Sequence, residues 1–238
     1  MGERTVVAGR QDQVAEGLAR TKARIERACE TAGRDPGEVT LVVVTKTFPA
    51  SDVRLLHELG VRDVGENRHP EAGDKAAACA DLDLRWHFVG QLQTNKARVV
   101  AGYADVVHSL DRARLATGLA KGVPDGETLD CLVQVSLDPP SAQGRGGAAP
   151  SDAPSIAEAI AAHDRLRLRG VMAVAPLGAD PDEAFSRLLG VSQTLRERWP
   201  EADAVSAGMS GDLEAAVRHG ATHVRVGSAI LGTRPAAR

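Results

Sequence analysis

Aromatic side chains are nearly missing from this chain: one tyrosine, two tryptophans and three phenylalanines in 238 residues. Stacking platforms for nucleobases are therefore not expected. A cationic excess is missing as well, since 29 lysines and arginines face 32 acidic residues and leave a net charge of −3. Such a surface has little with which to displace counterions from nucleic acid, so no nucleic-acid partner is expected. There are only three cysteines, Cys29, Cys79 and Cys131, odd in number, far apart and without metal-ligand spacing. That usage fits the reduced thiols of a cytosolic protein rather than a disulfide frame. No apolar run approaches membrane-spanning length, and the opening Met1-Gly2-Glu3-Arg4 has no apolar signal core. A cytoplasmic location without membrane attachment is the expectation. His57, His69, His108, His163, His219 and His223 have no metal-like spacing, and no metal is expected.

What is present starts with Leu41-Val42-Val43-Val44-Thr45-Lys46-Thr47. Four aliphatic residues, three of them β-branched, read as a buried strand. Phe48-Pro49 then stops the ladder, because proline has no N–H to donate. A lysine closing an apolar strand is unusual. Its stem would lie in low dielectric, which disfavours the ammonium and favours the nucleophilic amine that forms Schiff bases. A strand-end lysine can also snorkel its charge to solvent, so Lys46 alone does not decide.

Around this strand the chain repeats one unit. An amphipathic helix over about residues 10–33 carries Val14, Leu18, Ile25, Cys29 and Ala32 on one face, and Gly33 ends it. After the lysine strand comes a helix capped by Ser51. Strands are then predicted near Asp63–Asn67, Arg85–Gly90, Asp105–Leu110, Leu129–Leu137, Leu166–Val174, Asp203–Ala207 and His223–Gly227, with helices between them. Asp111 and Ser210 are the expected caps of two of those helices, and Asp182 is expected to open a third. About eight strand–helix units with near-continuous apolar strands suit a parallel sheet covered by helices. At this length the simplest closure is a (β/α)8 TIM-type barrel with an extra N-terminal helix, formed by residues 1–238 as a single domain. An open doubly wound sheet is the alternative, but no G-x-G-x-x-G follows the first strand. The one long irregular segment, Asp138 to Pro154, is expected to be mobile or functional.

In such barrels the chemistry sits at the C-terminal strand ends, with phosphate often held after strands seven and eight. Lys46 ends strand one and Asn67 ends strand two, while Glu66 has the opposite parity and should face the helices or the strand end. Closure brings strand eight beside strand one. Alternation then turns Arg225 and Gly227 to the same face, and an inward Arg225 near Lys46 calls for an anion between them. Gly208-Met209-Ser210-Gly211-Asp212 and Gly227-Ser228 are strand-to-helix turns that offer hydroxyls, amides and helix N-termini. Taken singly, Ser210 is equally an N-cap and Gly227 equally a plain turn. Converging on the Lys46 strand, they form a phosphate cup. A Schiff-base lysine, that cup and an inward arginine together describe a pyridoxal 5′-phosphate site. His87, at the end of strand three, could line the mouth or be satisfied by a neighbouring carbonyl. Asn95 and Lys96 lie near the mouth, with Lys96 equally a solvated helix residue.

With these residues in place, the chain closely resembles the pyridoxal phosphate homeostasis protein family, single barrels similar to the N-terminal domain of alanine racemase. The resemblance covers essentially the whole chain. It runs through Val44-Thr45-Lys46-Thr47, Gly65-Glu66-Asn67, Trp86-His87-Phe88-Val89-Gly90, Gln93-Thr94-Asn95-Lys96, Arg169-Gly170-Val171-Met172, Gly208-Met209-Ser210 with Asp212, and Arg225-Val226-Gly227-Ser228 with Leu231-Gly232. It implies that Lys46 carries the cofactor as a Schiff base, that Ser210 and the Gly227-Ser228 turn hold its phosphate, with Met209 also among the cofactor-binding residues, that Arg225 meets the pyridine nitrogen, and that Asn67 lies beside the ring. Phe48 stands where relatives often have a second lysine, Arg68 where an aromatic is frequent, and Arg145 where a loop lysine is common.

The resemblance implies a carrier that keeps intracellular pyridoxal phosphate in balance and hands it to apo-enzymes without efficient amino-acid chemistry. A monomer is expected. The alternative is a pyridoxal-phosphate-dependent amino-acid racemase, which needs a base on each face of the substrate α-carbon. Tyr103, the only tyrosine, is expected ahead of strand four at the wrong end of the barrel. A third reading, a cofactor-free Schiff-base aldolase, leaves Arg225 without a role.

Overall fold

The computed structural model describes residues 2–139 and 146–233, with side chains from residue 9 onward. Eight parallel strands close into a barrel in sequence order. They are β1 (Thr40–Val44), β2 (Asp63–Glu66), β3 (Arg85–Phe88), β4 (Val106–Leu110), β5 (Leu129–Gln134), β6 (Leu166–Met172), β7 (Ala204–Ser206) and β8 (His223–Val226). This is the expected TIM-type barrel and not the open sheet. Closure pairs β1 with β8, in a register that sets Thr40 opposite His223 and Val43 opposite Val226.

The helices are α1 (Gly2–Ala32), α2 (Ala50–Glu58), α3 (Glu71–Ala78), α4 (Ala97–Val100), α5 (Arg114–Ala120), α6 (Ala153–Ala161), α7 (Pro181–Arg198), α8 (Leu213–Arg218) and α9 (Ser228–Leu231). The extra helix, α1, packs along α8 and α9. Its Val14, Leu18, Ile25 and Cys29 meet Val43, Val224 and Val226 from the outward faces of β1 and β8. Period 3.6 on the helix and period 2 on the strands thus bury one continuous apolar layer. Inside the barrel, Val106, Leu132, Met172 and Ala204 form a small apolar cluster. All three cysteines are buried thiols.

Several element ends differ from the sequence expectation, each for a local reason. The strand expected to reach Thr47 stops at Val44, because the Phe48 N–H turns back to the Thr45 carbonyl and Thr47 takes φ 70°. Lys46 therefore stands in a turn just beyond the ladder. Ser51 is not a cap: α2 opens one residue earlier behind Pro49. Asp111 is not one either, since α5 starts at Arg114 and Asp111 pairs with Arg112. Asp182 does open α7, in its first turn, and Asp180 caps that helix by accepting from the Asp182 N–H. In the segment from Asp138 to Pro154, Ala148 bridges to Val135 and Pro150–Asp152 form a 3-10 turn. Residues 140–145, Arg145 among them, lie outside the described residues.

One close approach fixes the barrel wall. Gly170 lies opposite Ala204 between β6 and β7, has φ 146°, and a Cβ there would fall 1.9 Å from the Ala204 carbonyl oxygen. Gly170→Ala should lower unfolding stability by about 3 kcal/mol or more, through overpacking at a backbone atom that cannot retreat. Gly190→Ala, in open space on α7, should raise it by roughly 0.5–1 kcal/mol through helix propensity. Equilibrium urea denaturation of the two variants checks both signs.

Candidate functional site

At the C-terminal ends of the strands lies a cleft of about 500 Å³. Lys46, Asn67, Met209, Ser210, Arg225, Gly227 and Ser228 all line it, so the structure gathers the seven candidate residues in one place. Alternation explains the gathering. Val44 lines the cleft while Val43 packs outward against helices, and Lys46, in the turn that follows β1, opens onto the same cleft. On β8, Arg225 and Gly227 line the cleft and Val224 and Val226 pack outward.

Arg225 is 5% exposed and sits at the floor of the cleft. Its Nη1 donates to Ser206 Oγ at 2.6 Å and its Nη2 to the Ala173 carbonyl at 2.9 Å. Burial pulls the guanidinium down to about 10, with the Asp212 carboxylate pulling weakly the other way. A guanidinium held in low dielectric without a directly bound carboxylate favours whatever negative charge or acceptor enters beside it. With two bonds made, further N–H donors of the five remain for such a group.

The two turns at the mouth have different geometry from a pair of helix caps. Ser210 does not cap α8. Asp212 occupies that position, and its carboxylate accepts from the Met209 N–H at 2.6 Å. That bond closes the turn around Ser210, which lines the cleft. Gly227 precedes α9, where its carbonyl accepts from the Ile230 and Leu231 amides. The amides of Ser228 and Ala229, at the very start of that helix, have no intrahelical acceptor. A Cβ on Gly227 would fall 2.8 Å from the Val44 carbonyl oxygen, so glycine lets the β8 turn approach the end of β1.

The Ser210 turn and the end of α9 are held from behind by arginines that the sequence analysis overlooked. Arg24 of α1 donates to the Ser210 carbonyl and pairs with Glu214, and Arg10 donates to the Leu231 carbonyl and pairs with Asp52. Arg10 also covers the ring of Phe48, 5.5 Å from its centroid. The available signal was their position beside the apolar stripe of Val14, Leu18 and Ile25 on α1.

The Lys46 turn has its own anchor. Glu66, 1% exposed, faces the helices as its parity predicted. It accepts from Thr45 Oγ1 at 2.6 Å and from Lys75 Nζ at 2.6 Å. Lys75 also donates to the Thr45 carbonyl and to Glu71, which accepts from the Thr47 N–H. The backbone on both sides of Lys46 is thereby tied to α3 by a buried ionic cluster. Burial pushes the Glu66 carboxyl up, against the opposing pull of Lys75 and Thr45.

Other candidates fall elsewhere. His87 does not line the mouth: Val89 does, and His87 lies one layer down inside the barrel, bonded to Asp63 and His108. Lys96 and Arg68 line an adjoining cavity of about 470 Å³ that shares Asn67 and Gly90 with the cleft. Phe48 lines the cleft itself. Tyr103 packs in the helical layer, stacked on His69 with ring centroids 6.1 Å apart, away from the cleft.

A barrel whose first and last strands meet beneath a lysine turn and two glycine- and serine-bearing turns has clear relatives. Residues 17–235 match the model of the family described as "Alanine racemase, N-terminal domain". The pyridoxal phosphate homeostasis protein of Mycobacterium tuberculosis is 43% identical to this chain, with 94% of each covered. That of Escherichia coli is 37% identical over 94% of this chain and 97% of its own. The chain belongs to the pyridoxal phosphate homeostasis protein family. Among solved structures, PipY of Synechococcus elongatus with pyridoxal phosphate bound superposes with a TM-score of 0.79, at 33% identity over 92% of this chain and all of its own. Alanine racemase of Corynebacterium glutamicum superposes at 0.66 with 15% identity, covering 94% of this chain and 61% of its own, which shows a shared fold.

The anchor beneath Lys46 can be tested by pH. Lys75→Met leaves Glu66 buried and unpaired, which should cost about 3–5 kcal/mol. A carboxyl raised in the folded state loses stability as pH climbs above its unfolded value and through its folded one. The deficit of Lys75→Met relative to the parent should therefore be smallest near pH 4 and widen toward neutrality. The double variant Glu66→Gln/Lys75→Met should lack that widening, as read from urea midpoints across pH.

Proposed function

We propose that this chain is a pyridoxal 5′-phosphate carrier. Its Lys46 amine condenses with the cofactor aldehyde, releasing water, and holds the cofactor as a Schiff base until an apo-enzyme takes it. The observation that carries this reading is the convergence of all seven candidate residues on one cleft, in a chain 43% identical to a pyridoxal phosphate homeostasis protein. The donor set fits the group. The cleft volume lies within the usual range for a small-molecule site. Ser210, Ser228 and the first amides of α9 suit a phosphate dianion, and Arg225 suits a ring-nitrogen acceptor. Met209 and Asn67 line the same cleft and would contact the group there. The 1–238 barrel acts as one cofactor-binding domain, soluble in the cytoplasm, and as a monomer.

The same residues argue against efficient amino-acid chemistry. Cofactor enzymes that need a strong electron sink place a carboxylate at the pyridine nitrogen. A guanidinium donates and cannot accept, so the ring nitrogen stays unprotonated and carbanions gain little. A racemase also needs a second base, and Tyr103 stands away from the cleft.

Borohydride treatment of the loaded protein followed by peptide mapping should label Lys46; label on Lys96 or Lys75 instead refutes the assignment. In deuterated water, alanine offered to the loaded protein should exchange its α-proton negligibly. Turnover in the ordinary enzymatic range, on the order of 1–10³ per second, would restore the racemase. The phosphate cup is tested separately. Ser210→Ala removes one hydroxyl donor to a dianion and should weaken binding by roughly 1.5–3 kcal/mol, with binding of unphosphorylated pyridoxal unchanged.

A further inference from the structure

Below the cleft, a single file of hydrogen bonds crosses the barrel interior from β8 to β2. Arg225 Nη1 lies 2.6 Å from Ser206 Oγ, and Ser206 Oγ lies 2.9 Å from His108 Nδ1. His108 Nε2 is 2.9 Å from His87 Nδ1, and His87 Nε2 is 2.9 Å from Asp63 Oδ1. Arg225, Ser206, His108 and His87 are all buried, whereas the Asp63 side chain is 25% exposed at the first residue of β2, the opposite end of the barrel from the cleft. Among the described residues no group of three histidine, cysteine or acidic side chains could hold a metal ion, so the close histidine contact is explained by hydrogen bonding.

The two ends of the file dictate the direction of every bond. A guanidinium can only donate and an ionised carboxylate can only accept. The Asp63 carboxylate requires the proton of His87 to be on Nε2. A neutral His87 then has a bare Nδ1, which must accept from His108 Nε2–H. His108 in turn has a bare Nδ1, which accepts the Ser206 hydroxyl proton, and the Ser206 oxygen accepts from Arg225. Burial holds both imidazoles below their ordinary value, in keeping with neutral rings. A guanidinium is far more basic than a carboxylate, so the protons stay in place. The file orients; it does not conduct.

We propose that Asp63, His87, His108 and Ser206 are positioning residues for Arg225, aligning four bonds from a carboxylate at the barrel base so that the guanidinium presents a fixed N–H to the cofactor ring. Aligned bonds polarise one another, so the charge at Asp63 strengthens the grip of Ser206 on Arg225 across the barrel. Applied to the cofactor this rests on the carrier reading, but the bond directions do not.

The test has two arms. In the cofactor-free protein, long-range proton–nitrogen spectra of the imidazoles at neutral pH should show His87 and His108 both neutral and both protonated on Nε2. A proton on Nδ1 of either ring, or a charged ring, overturns the proposal. In the second arm Asp63→Asn replaces the acceptor-only end with a near-isosteric amide. It should move the side-chain nitrogen resonances of Arg225, four side chains away, and shift the absorbance maximum of bound pyridoxal phosphate, with the melting temperature little changed. The same substitution made on Ser206→Ala, where the file is cut, should leave the absorbance maximum unmoved. If Asp63→Asn perturbs His87 but leaves the Arg225 resonances and the absorbance untouched, the file does not position the arginine. Should the parent fail to bind the cofactor at all, the carrier reading fails while the imidazole spectra still decide the bond directions.

Discussion

The pairing of β1 with β8 is the constraint on which the site depends. Four residue pairs, from Thr40 with His223 to Val43 with Val226, close the barrel and fix the height of one strand against the other. That height sets Arg225 opposite Val42, two layers below Lys46, and brings the Gly227 turn against the Val44 carbonyl. A slip of one residue would exchange the inward and outward faces of β8, burying Arg225 among the valines and aiming Val226 at the cleft. The apolar layer between these strands and α1 makes such a slip expensive, because Val224 and Val226 would leave it.

Ionic groups reinforce the closure where apolar packing cannot. Lys75, Glu66 and Glu71 fasten the Lys46 turn to α3, and Arg10 and Arg24 fasten the end of α9 and the Ser210 turn to α1. Each arginine addresses a backbone carbonyl and an acidic side chain at once, a bond pattern that fixes loop position more tightly than apolar contact does. The floor of the cleft differs again: Arg225 is held by a hydroxyl and a carbonyl, neither of which neutralises it. The cationic character of the floor is thus retained for a ligand.

How much of this was legible in the sequence depended on whether a contact followed from alternation. The inward set Val44, Lys46, Arg225 and Gly227, and the outward Glu66, came directly from period 2 and the assumption of a closed barrel. Ser210 was misread as a cap because Asp212, two residues later, suits a cap equally well by residue type and holds that position, its carboxylate closing the turn back onto the Met209 N–H. The strand end at Lys46 was placed too late because a left-handed Thr47 has no sequence signature. His87, His108 and Ser206 come from β3, β4 and β7, and their meeting depends on the stagger of strands across the barrel, which periodicity within one strand cannot supply. The arginines of α1 were missed for a related reason: a helix preceding the repeat has no assigned place until α8 and α9 are seen to receive it.

The cleft draws its lysine from residue 46 and its mouth from residues 209–228, so its two halves are separated by most of the chain. Bringing contacts of that separation together costs more loop-closure entropy than local pairing does. A ligand gripping both halves is therefore a clasp across the seam of the barrel, and its binding free energy adds directly to the cohesion of the ring. Binding and folding are thus linked for any ligand that touches both sides: what holds it in the cleft also holds the seam closed.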